Sequence, residues 1–210
     1  YFITPVVALV HPPFELELNP REVTDAYLGA IATANSKLNA YVAVTDGLAV
    51  VDISNPSNPY VLSIGNASPT GSGTDIYVDK GYAYVGKNTG MTIFDVSNPA
   101  AVTSVAAYSS ATIVESINVS DGYAYLVKRG GTVEILNVTN PASPTVVGTY
   151  AVGAVLGSSA LGGRYLYTYG ASLNILDVLN PSAPTSVAQA SVSLTGRHVA
   201  LNGRYLYTIA

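Results

Sequence analysis

A strand-and-turn phrase recurs along this chain about every forty residues, and this repeat constrains the fold more than any other feature. The four clear copies each end in an Asn-Pro turn, and they are residues 50–56, 93–99, 135–141 and 175–181. Successive Asn residues are separated by 43, 42 and 40 positions, and a degenerate fifth copy at residues 14–20 lies 36 residues upstream. A period in this range with four strands per unit is typical of a β-propeller, whose blades bury their faces only against neighbouring blades. The repeat therefore predicts an all-β, five-bladed β-propeller of four-stranded blades.

Each unit is predicted to contain four short strands. In the second unit they are residues 74–78, 82–85, 91–96 and 102–108, with turn residues between them. The second strand recurs as a pair of tyrosines two positions apart, namely Tyr82/Tyr84, Tyr123/Tyr125, Tyr165/Tyr167 and Tyr205/Tyr207. Residues two apart on a strand project to the same face. An aromatic row can bind sugars, but one that recurs at the same register in every unit favours packing between blades.

The two ends of the chain are complementary in strand number. After residues 205–209 the chain stops, so the last unit has only its first two strands. Residues 14–18 and about 23–28 would supply a third and a fourth strand. The sequence therefore predicts that the N-terminal strands pair with the C-terminal ones and close the ring, which removes an exposed sheet edge. The alternative is a fragment of a longer array that was cut at both ends.

Closure of the propeller over residues 14–210 leaves residues 1–13 as an N-terminal extension. The extension is apolar on both alternating faces, which predicts a strand that is covered on both sides. Its candidate partner-binding residues are Phe2, Ile3, Val6, Val7, Leu9 and Val10. Two interpretations remain open: the segment folds back on its own propeller, or it adds as a strand to a neighbouring copy. Head-to-tail strand addition generates an open fibre unless the rotation closes.

Composition argues against two classes of protein and favours one location. The net charge is −4, whereas nucleic-acid binding needs a basic face. No segment has the roughly 18 consecutive apolar residues of a membrane-spanning helix. The start at Tyr1, the low charged fraction of 10% and three glycosylation sequons favour an extracellular or cell-surface location after processing.

The phrase Leu-x-Ile-x-Asp-Val-x-Asn-Pro-x-x-Pro-x-x-Val, best kept at residues 173–187, resembles the LVIVD-repeat family. The resemblance implies a propeller of secreted or surface-attached proteins of bacteria and archaea, with no common catalytic residues. The chain departs from the pattern at Leu16 and Asn137, which stand where other units have an acid. We expect these acids to cap turn N–H groups rather than to perform chemistry.

The sequence contains few features that are typical of a catalytic site. The chain has two histidines and no cysteine, which excludes zinc sites of the usual spacing, and it has no Gly-x-Ser-x-Gly elbow. We therefore expect no catalytic residues, no cofactor and no metal, and a protein that is not an enzyme. Alignment of the units brings the starts of the inner strands to one mouth of the central channel. The candidate residues there, for a small ligand or a cation, are Asp75, Glu115, Arg197 and His198. A solvated channel entrance would also account for such a ring of mixed charges.

Two of the three sequons are candidate glycosylation sites. Asn66 is expected in a loop, and Asn137 at the end of a third strand. Asn118 falls in an inner strand and is expected to be unmodified.

These observations favour a non-enzymatic extracellular module that self-assembles into a filament or surface lattice through its N-terminal strand, with other copies of the chain as its partners. The alternative is a ligand- or glycan-binding propeller that uses the channel mouth. An enzyme is the third possibility.

Overall fold

The computed structural model describes residues 47–66, 71–153, 156–191 and 198–209. The chain divides into two compact units, Tyr1–Val42 and Ala43–Ala210, and every described residue belongs to the second. The predicted partner-binding residues of the N-terminal extension, the predicted strands at residues 14–18 and 23–28, and Arg197 lie outside the described residues.

Every regular element in the described residues is a β-strand, as predicted. Three antiparallel four-stranded sheets each follow chain order. The first of these sheets contains β3 (Gly73–Asp79), β4 (Tyr82–Lys87), β5 (Gly90–Asp95) and β6 (Thr103–Ser109). The second contains β7 (Val114–Ser120), β8 (Tyr123–Lys128), β9 (Thr132–Asn137) and β10 (Thr145–Ala151). The third contains β11 (Leu156–Gly162), β12 (Tyr165–Gly170), β13 (Leu173–Asp177) and β14 (Thr185–Ala190). A two-stranded sheet lies before them and another after them, formed by β1 (Gly47–Asp52) with β2 (Tyr60–Asn66) and by β15 (His198–Asn202) with β16 (Tyr205–Ile209).

The first and second strands of each four-stranded sheet are joined by a two-residue hairpin. Lys80 and Gly81 have φ angles of 47° and 81°, and Asp121 and Gly122 have φ angles of 53° and 79°. Two successive positive φ angles define the type I′ turn, whose twist matches that of the flanking strands. In the next hairpin the glycine moves to the first turn position, where Gly163 has a φ of 58°. Each of these hairpins thus has a glycine at a turn position with positive φ, which glycine adopts without steric cost.

The repeated Asn-Pro phrase forms a pair of consecutive side-chain-capped turns. The residue three before the Asn accepts a hydrogen bond from the N–H two positions later, in the pairs Asp52 with Ser54 (2.8 Å), Asp95 with Ser97 (2.9 Å), Asn137 with Thr139 (2.9 Å) and Asp177 with Leu179 (3.0 Å). The Asn side chain repeats this pattern, in the pairs Asn55 with Ser57 (3.1 Å), Asn98 with Ala100 (3.1 Å), Asn140 with Ala142 (3.2 Å) and Asn180 with Ser182 (3.2 Å). The predicted capping role of the acids is confirmed. An Asn replaces an acid in one unit without loss of the bond because only an acceptor oxygen is required.

The sheets pack face to face in chain order, with their first strands side by side. β3 contacts β7, β7 contacts β11, and β11 contacts β15. The core lies between consecutive sheets: one cluster joins Tyr84 and Ile93 to Leu126 and Leu136, and the next joins Tyr125 and Ile135 to residues of β12 and β13. Four-stranded meanders stacked with their first strands together are propeller-like.

The array is not closed in the described residues. No described strand pairs with β16 on the side away from β15, so the five-blade count and the closure remain predictions. In the same residues no helix occurs that could span a membrane.

Candidate functional site

The predicted channel-mouth positions lie at register shifts near the start of the first strands. The pairing of β3 with β4 skips Thr74, that of β7 with β8 skips Glu115, and that of β11 with β12 skips Gly157. The residue after each skipped position, Asp75, Ser116 or Ser158, therefore occupies an equivalent place in its sheet. The predicted alignment of the units is correct at these three places.

These residues link each first strand to the next. Oδ2 of Asp75 accepts a hydrogen bond of 2.8 Å from the backbone N–H of Ile117, on β7. The hydroxyl oxygen of Ser158 accepts one of 3.2 Å from the N–H of Val199, on β15. Thr74 also donates to the carbonyl of Val114. Asp75 thus has a structural partner in the neighbouring sheet.

The link between the second and third complete sheets is formed by side chains instead. The amide of Asn118 donates to the Ser159 hydroxyl at 2.7 Å, and that hydroxyl donates to Ser116 at 3.0 Å. Asn118 is buried, in keeping with its expected place in an inner strand. Satisfied polar groups of this kind specify how two strands sit against each other.

Glu115 and His198 are the other candidate mouth residues within the described part of the chain. Glu115 forms an ion pair with Arg129 of its own sheet. His198 is exposed at the start of β15. In the described part of the chain no group of three or more His, Asp or Glu side chains is arranged to hold a metal ion.

The Asn-Pro turn has a second role that the sequence did not predict: it contacts the preceding sheet. The Ser63 hydroxyl on β2 donates to the carbonyl of Pro99 at 2.6 Å. At the corresponding place on β10, a Cβ on Gly148 would lie 2.0 Å from the carbonyl oxygen of Pro181. The outer strand therefore carries a small residue where the next turn approaches. The sequence feature that indicates this contact is a small residue at one position of the outer strand. It can be recognised only after the outer strands of the units have been aligned.

A buried polar cluster also crosses between sheets. Oε2 of Glu134, on β9, accepts hydrogen bonds from the Tyr108 hydroxyl at 2.7 Å and from Lys128 Nζ at 3.0 Å. The side chains of Lys128 and Glu134 are each 12% exposed. Burial and the bond to Glu134 raise the pKa of Tyr108 to about 12.

The tyrosine pairs of β4 and β8 pack between sheets, as predicted, whereas Tyr205 and Tyr207 of β16 are exposed. Tyr84 and Tyr125 are 3% and 5% exposed, and their hydrophobic clusters include residues of the following sheet. Above them, two equivalent grooves of about 550 Å³ and 460 Å³ separate consecutive sheets. We call them groove 1, lined by Asp79, Lys80, Tyr82, Tyr84, Asp121 and Pro141 among others, and groove 2, lined by Ser120, Asp121, Tyr123, Tyr125, Arg164 and Pro181 among others.

The two candidate glycosylation residues lie at strand ends. Asn66 is the last residue of β2 rather than a loop residue. Asn137 ends β9, as predicted, and its carboxamide oxygen accepts hydrogen bonds from both the N–H and the hydroxyl of Thr139, the third residue of its sequon.

Solved structures with this architecture are distant in sequence. A functionally unknown protein from Desulfotomaculum acetoxidans DSM 771 is 14% identical with a TM-score of 0.68, over 79% of this chain and 56% of that protein. The computationally designed Ika8 protein is 9% identical with a TM-score of 0.57, over 71% of this chain and 46% of that chain. The computationally designed Ika4 protein is 9% identical with a TM-score of 0.55, over 69% of this chain and 89% of that chain. The chain thus spans about half the length of two of these proteins, and the likeness concerns the fold alone.

No curated protein matches the sequence. The family model described as LVIVD repeat matches four segments, residues 39–65, 70–110, 112–152 and 158–190. The matched segments together cover more than half of the chain, and each of them contains one Asn-Pro phrase. The chain belongs to the LVIVD repeat family.

Proposed function

We propose that this chain is a non-enzymatic extracellular structural module: a five-bladed propeller, closed by its N-terminal strands, that assembles into a filament or surface lattice through residues 1–13. The LVIVD repeats and the all-β repeat fold suggest a propeller-type protein-interaction module. The observation that carries the proposal is the position of the exposed apolar side chains at the two ends of the described array.

The last sheet exposes a face that is buried in the complete sheets. Tyr207 is 57% exposed, whereas Tyr84 and Tyr125, at the same place in their tyrosine pairs, are 3% and 5% exposed. Exposure of apolar surface to water is unfavourable, so a face of this kind favours packing against another element. A following blade would cover Tyr207 as the following sheets cover Tyr84 and Tyr125.

The first sheet exposes the complementary face. Ile53 lies two residues before Asn55 and is 69% exposed, whereas Val138 and Val178, at the same place in later phrases, are each 3% exposed. In the complete sheets, Tyr84 and Val138 belong to one hydrophobic cluster, as do Tyr125 and Val178. The same relation would place Tyr207 against Ile53, which supports a ring in which the last blade meets the first.

A third exposed position supports the assignment of residues 14–18 and 23–28 to the third and fourth strands of the last blade. Val187 on β14 is 54% exposed, while Val105 and Val147, at the same place on β6 and β10, pack against clusters that include the following sheet. The third and fourth strands of the last blade would cover Val187. Residues 14–18 and 23–28 are the part of the chain whose sequence fits those two strands.

Closure of the ring uses residues 14–18 and 23–28 as propeller strands, so residues 1–13 are available for assembly. A strand that is apolar on both faces is suited to addition to another sheet, where backbone hydrogen bonds supply affinity and side-chain pockets supply register. A contact in which each copy gives one strand and receives one is head-to-tail, so it propagates into a fibre unless it closes.

Deletion of residues 1–13 tests the assembly. The full chain should form filaments or lattices in negative-stain images, and the deletion variant should be monomeric by light scattering with an unchanged circular dichroism spectrum. A second variant, with Val6→Asp and Val7→Asp, keeps the length of the segment but not its apolar faces. It should also be monomeric, which separates the effect of apolar side chains from that of chain length. Assembly that is unchanged in both variants would exclude the proposal.

A further inference from the structure

We propose that groove 1, between the sheets β3–β6 and β7–β10, binds a neutral saccharide. Groove 1 is formed by described residues of two complete sheets, so the proposal does not depend on ring closure or on residues 1–13. Its volume of about 550 Å³ is within the range of small-molecule sites.

The floor of groove 1 is aromatic and apolar. Tyr82 and Tyr84 line one wall, and Val138 and Pro141 of the next sheet line the other. Tyr84 is buried, whereas Tyr82 is half-buried and lines groove 1. An accessible tyrosine ring with a polar tip suits a ligand that has both an apolar face and hydroxyl groups.

The rim of groove 1 carries carboxylates with unused hydrogen-bonding capacity. Among the described residues, no side-chain hydrogen bond or ion pair to Asp79 is found, and Asp121 accepts one bond, from the Ser120 hydroxyl at 2.9 Å. An ionised carboxylate only accepts hydrogen bonds, and its bonds to hydroxyl donors are strong. Lys80 supplies a donor on the same rim.

These features select the class of ligand. Two carboxylates beside one lysine disfavour phosphates and sulfated sugars, since like charges repel. A purely apolar ligand would bury the carboxylates without partners, which is unfavourable. A pyranose ring avoids both costs because its C–H face can lie on Tyr82 while its hydroxyls donate to Asp79 and Asp121.

Groove 2 is an internal comparison with the same floor and a different rim. Ser120 stands there in the place of Asp79, and Leu179 in the place of Thr139. Arg164 on its rim is engaged by Asp177 in an ion pair and lies over the ring of Tyr165. Groove 2 therefore offers fewer unpaired acceptors, and we expect it to bind the same saccharide more weakly.

Calorimetric titration with three soluble probes, cellohexaose, mannohexaose and chitohexaose, tests the proposal. At least one probe should bind with a Kd of about 1 mM or tighter. Tyr82→Ala and Asp79→Ser should each weaken that binding by about tenfold, which corresponds to the loss of one good contact. Tyr82→Phe, which keeps the ring, should bind within about threefold of the parent.

Tyr60→Ala is the matched control, because Tyr60 is an exposed tyrosine on β2 outside both grooves. It should bind like the parent, and circular dichroism should show that all variants remain folded. Absence of binding by all three probes would overturn the proposal. An equal loss in Tyr60→Ala and Tyr82→Ala would overturn it as well, since the binding would then lie outside groove 1.

Discussion

The hydroxyl of Tyr108 donates a 2.7 Å hydrogen bond to the carboxylate of Glu134, and this bond joins the outer strand of one sheet to the third strand of the next. Lys128 neutralises the same carboxylate from the adjacent strand at 3.0 Å. A buried carboxylate is tolerated only when it is paired and hydrogen-bonded, so each partner contributes to the packing of these two sheets.

Tyr108→Phe should lower the free energy of unfolding by about 1.5 kcal/mol, the usual contribution of a hydrogen bond to a charged group. Urea denaturation measures this change. Tyr150→Phe is the matched control: Tyr150 lies at the equivalent place on β10, and no hydrogen bond of its hydroxyl is found in the described residues, so this change should stay within about 0.5 kcal/mol. Equal losses in the two variants would contradict a special role for Glu134.

The burial of Tyr108 and its bond to Glu134 together predict a loss of stability at high pH. The pKa of Tyr108 is raised to about 12 from its ordinary value of 10.0, so the folded protein keeps this proton where the unfolded chain releases it. The contribution is complete below pH 10 and declines as the pH rises toward 12. Unfolding free energies measured across this window should fall more steeply for the parent than for Tyr108→Phe. Parallel curves would exclude this explanation.

Gly148 is required by the close approach of the Asn-Pro turn. Gly148→Val should destabilise the protein by about 2 kcal/mol or more, because the new Cβ would meet the carbonyl oxygen of Pro181 and backbone atoms cannot move aside cheaply. Gly130→Ala is the control, since its Cβ would meet only the methyl carbon of Thr112 at an ordinary 3.5 Å. Thermal unfolding distinguishes the two, and a Gly148→Val protein as stable as the control would contradict this contact.

The capped turns predict different results for two changes at one position. Asp95→Asn should be tolerated because Asn137 makes the same bonds in the next unit, whereas Asp95→Ala leaves the N–H and hydroxyl of Ser97 without their acceptor. Those bonds hold the pKa of Asp95 below its usual value, so the contribution of Asp95 should be lost as the pH falls through that lowered pKa. Melting temperatures at neutral and acidic pH measure both effects. An Asp95→Ala protein that melts like Asp95→Asn at neutral pH would contradict the capping role.

The sequence predicted the strand order, the hairpins and the capped turns because their residues recur in every unit, so the repeat acts as its own alignment. It did not predict the Tyr108–Glu134 bond, since the places of Glu134 in the flanking units are taken by Thr92 and Asn174. Nor did it indicate that Asp75 would bond to Ile117, because that contact depends on how consecutive sheets rotate against each other. Contacts between sheets are set by packing, which a linear pattern does not encode.

Closure of the ring is the central claim, and the repeat specifies one residue pair that tests it. In the complete sheets the first residue of each tyrosine pair lies opposite the residue three before the Asn, as Tyr123 lies opposite Asn137. Leu16 lies three residues before Asn19, so closure would place it opposite Tyr205. Directly opposed residues of antiparallel strands are close enough for a disulfide.

The most direct measurement is therefore disulfide formation in a Leu16→Cys/Tyr205→Cys variant. The chain has no natural cysteine, so the two introduced thiols can pair only with each other or with a second molecule. Tyr123→Cys/Asn137→Cys is the positive control, and Leu16→Cys/Tyr123→Cys is the negative one. Closure predicts a disulfide within one chain that forms as completely as in the positive control, seen by mass spectrometry and non-reducing electrophoresis. Free thiols, or disulfides only between chains, would contradict it.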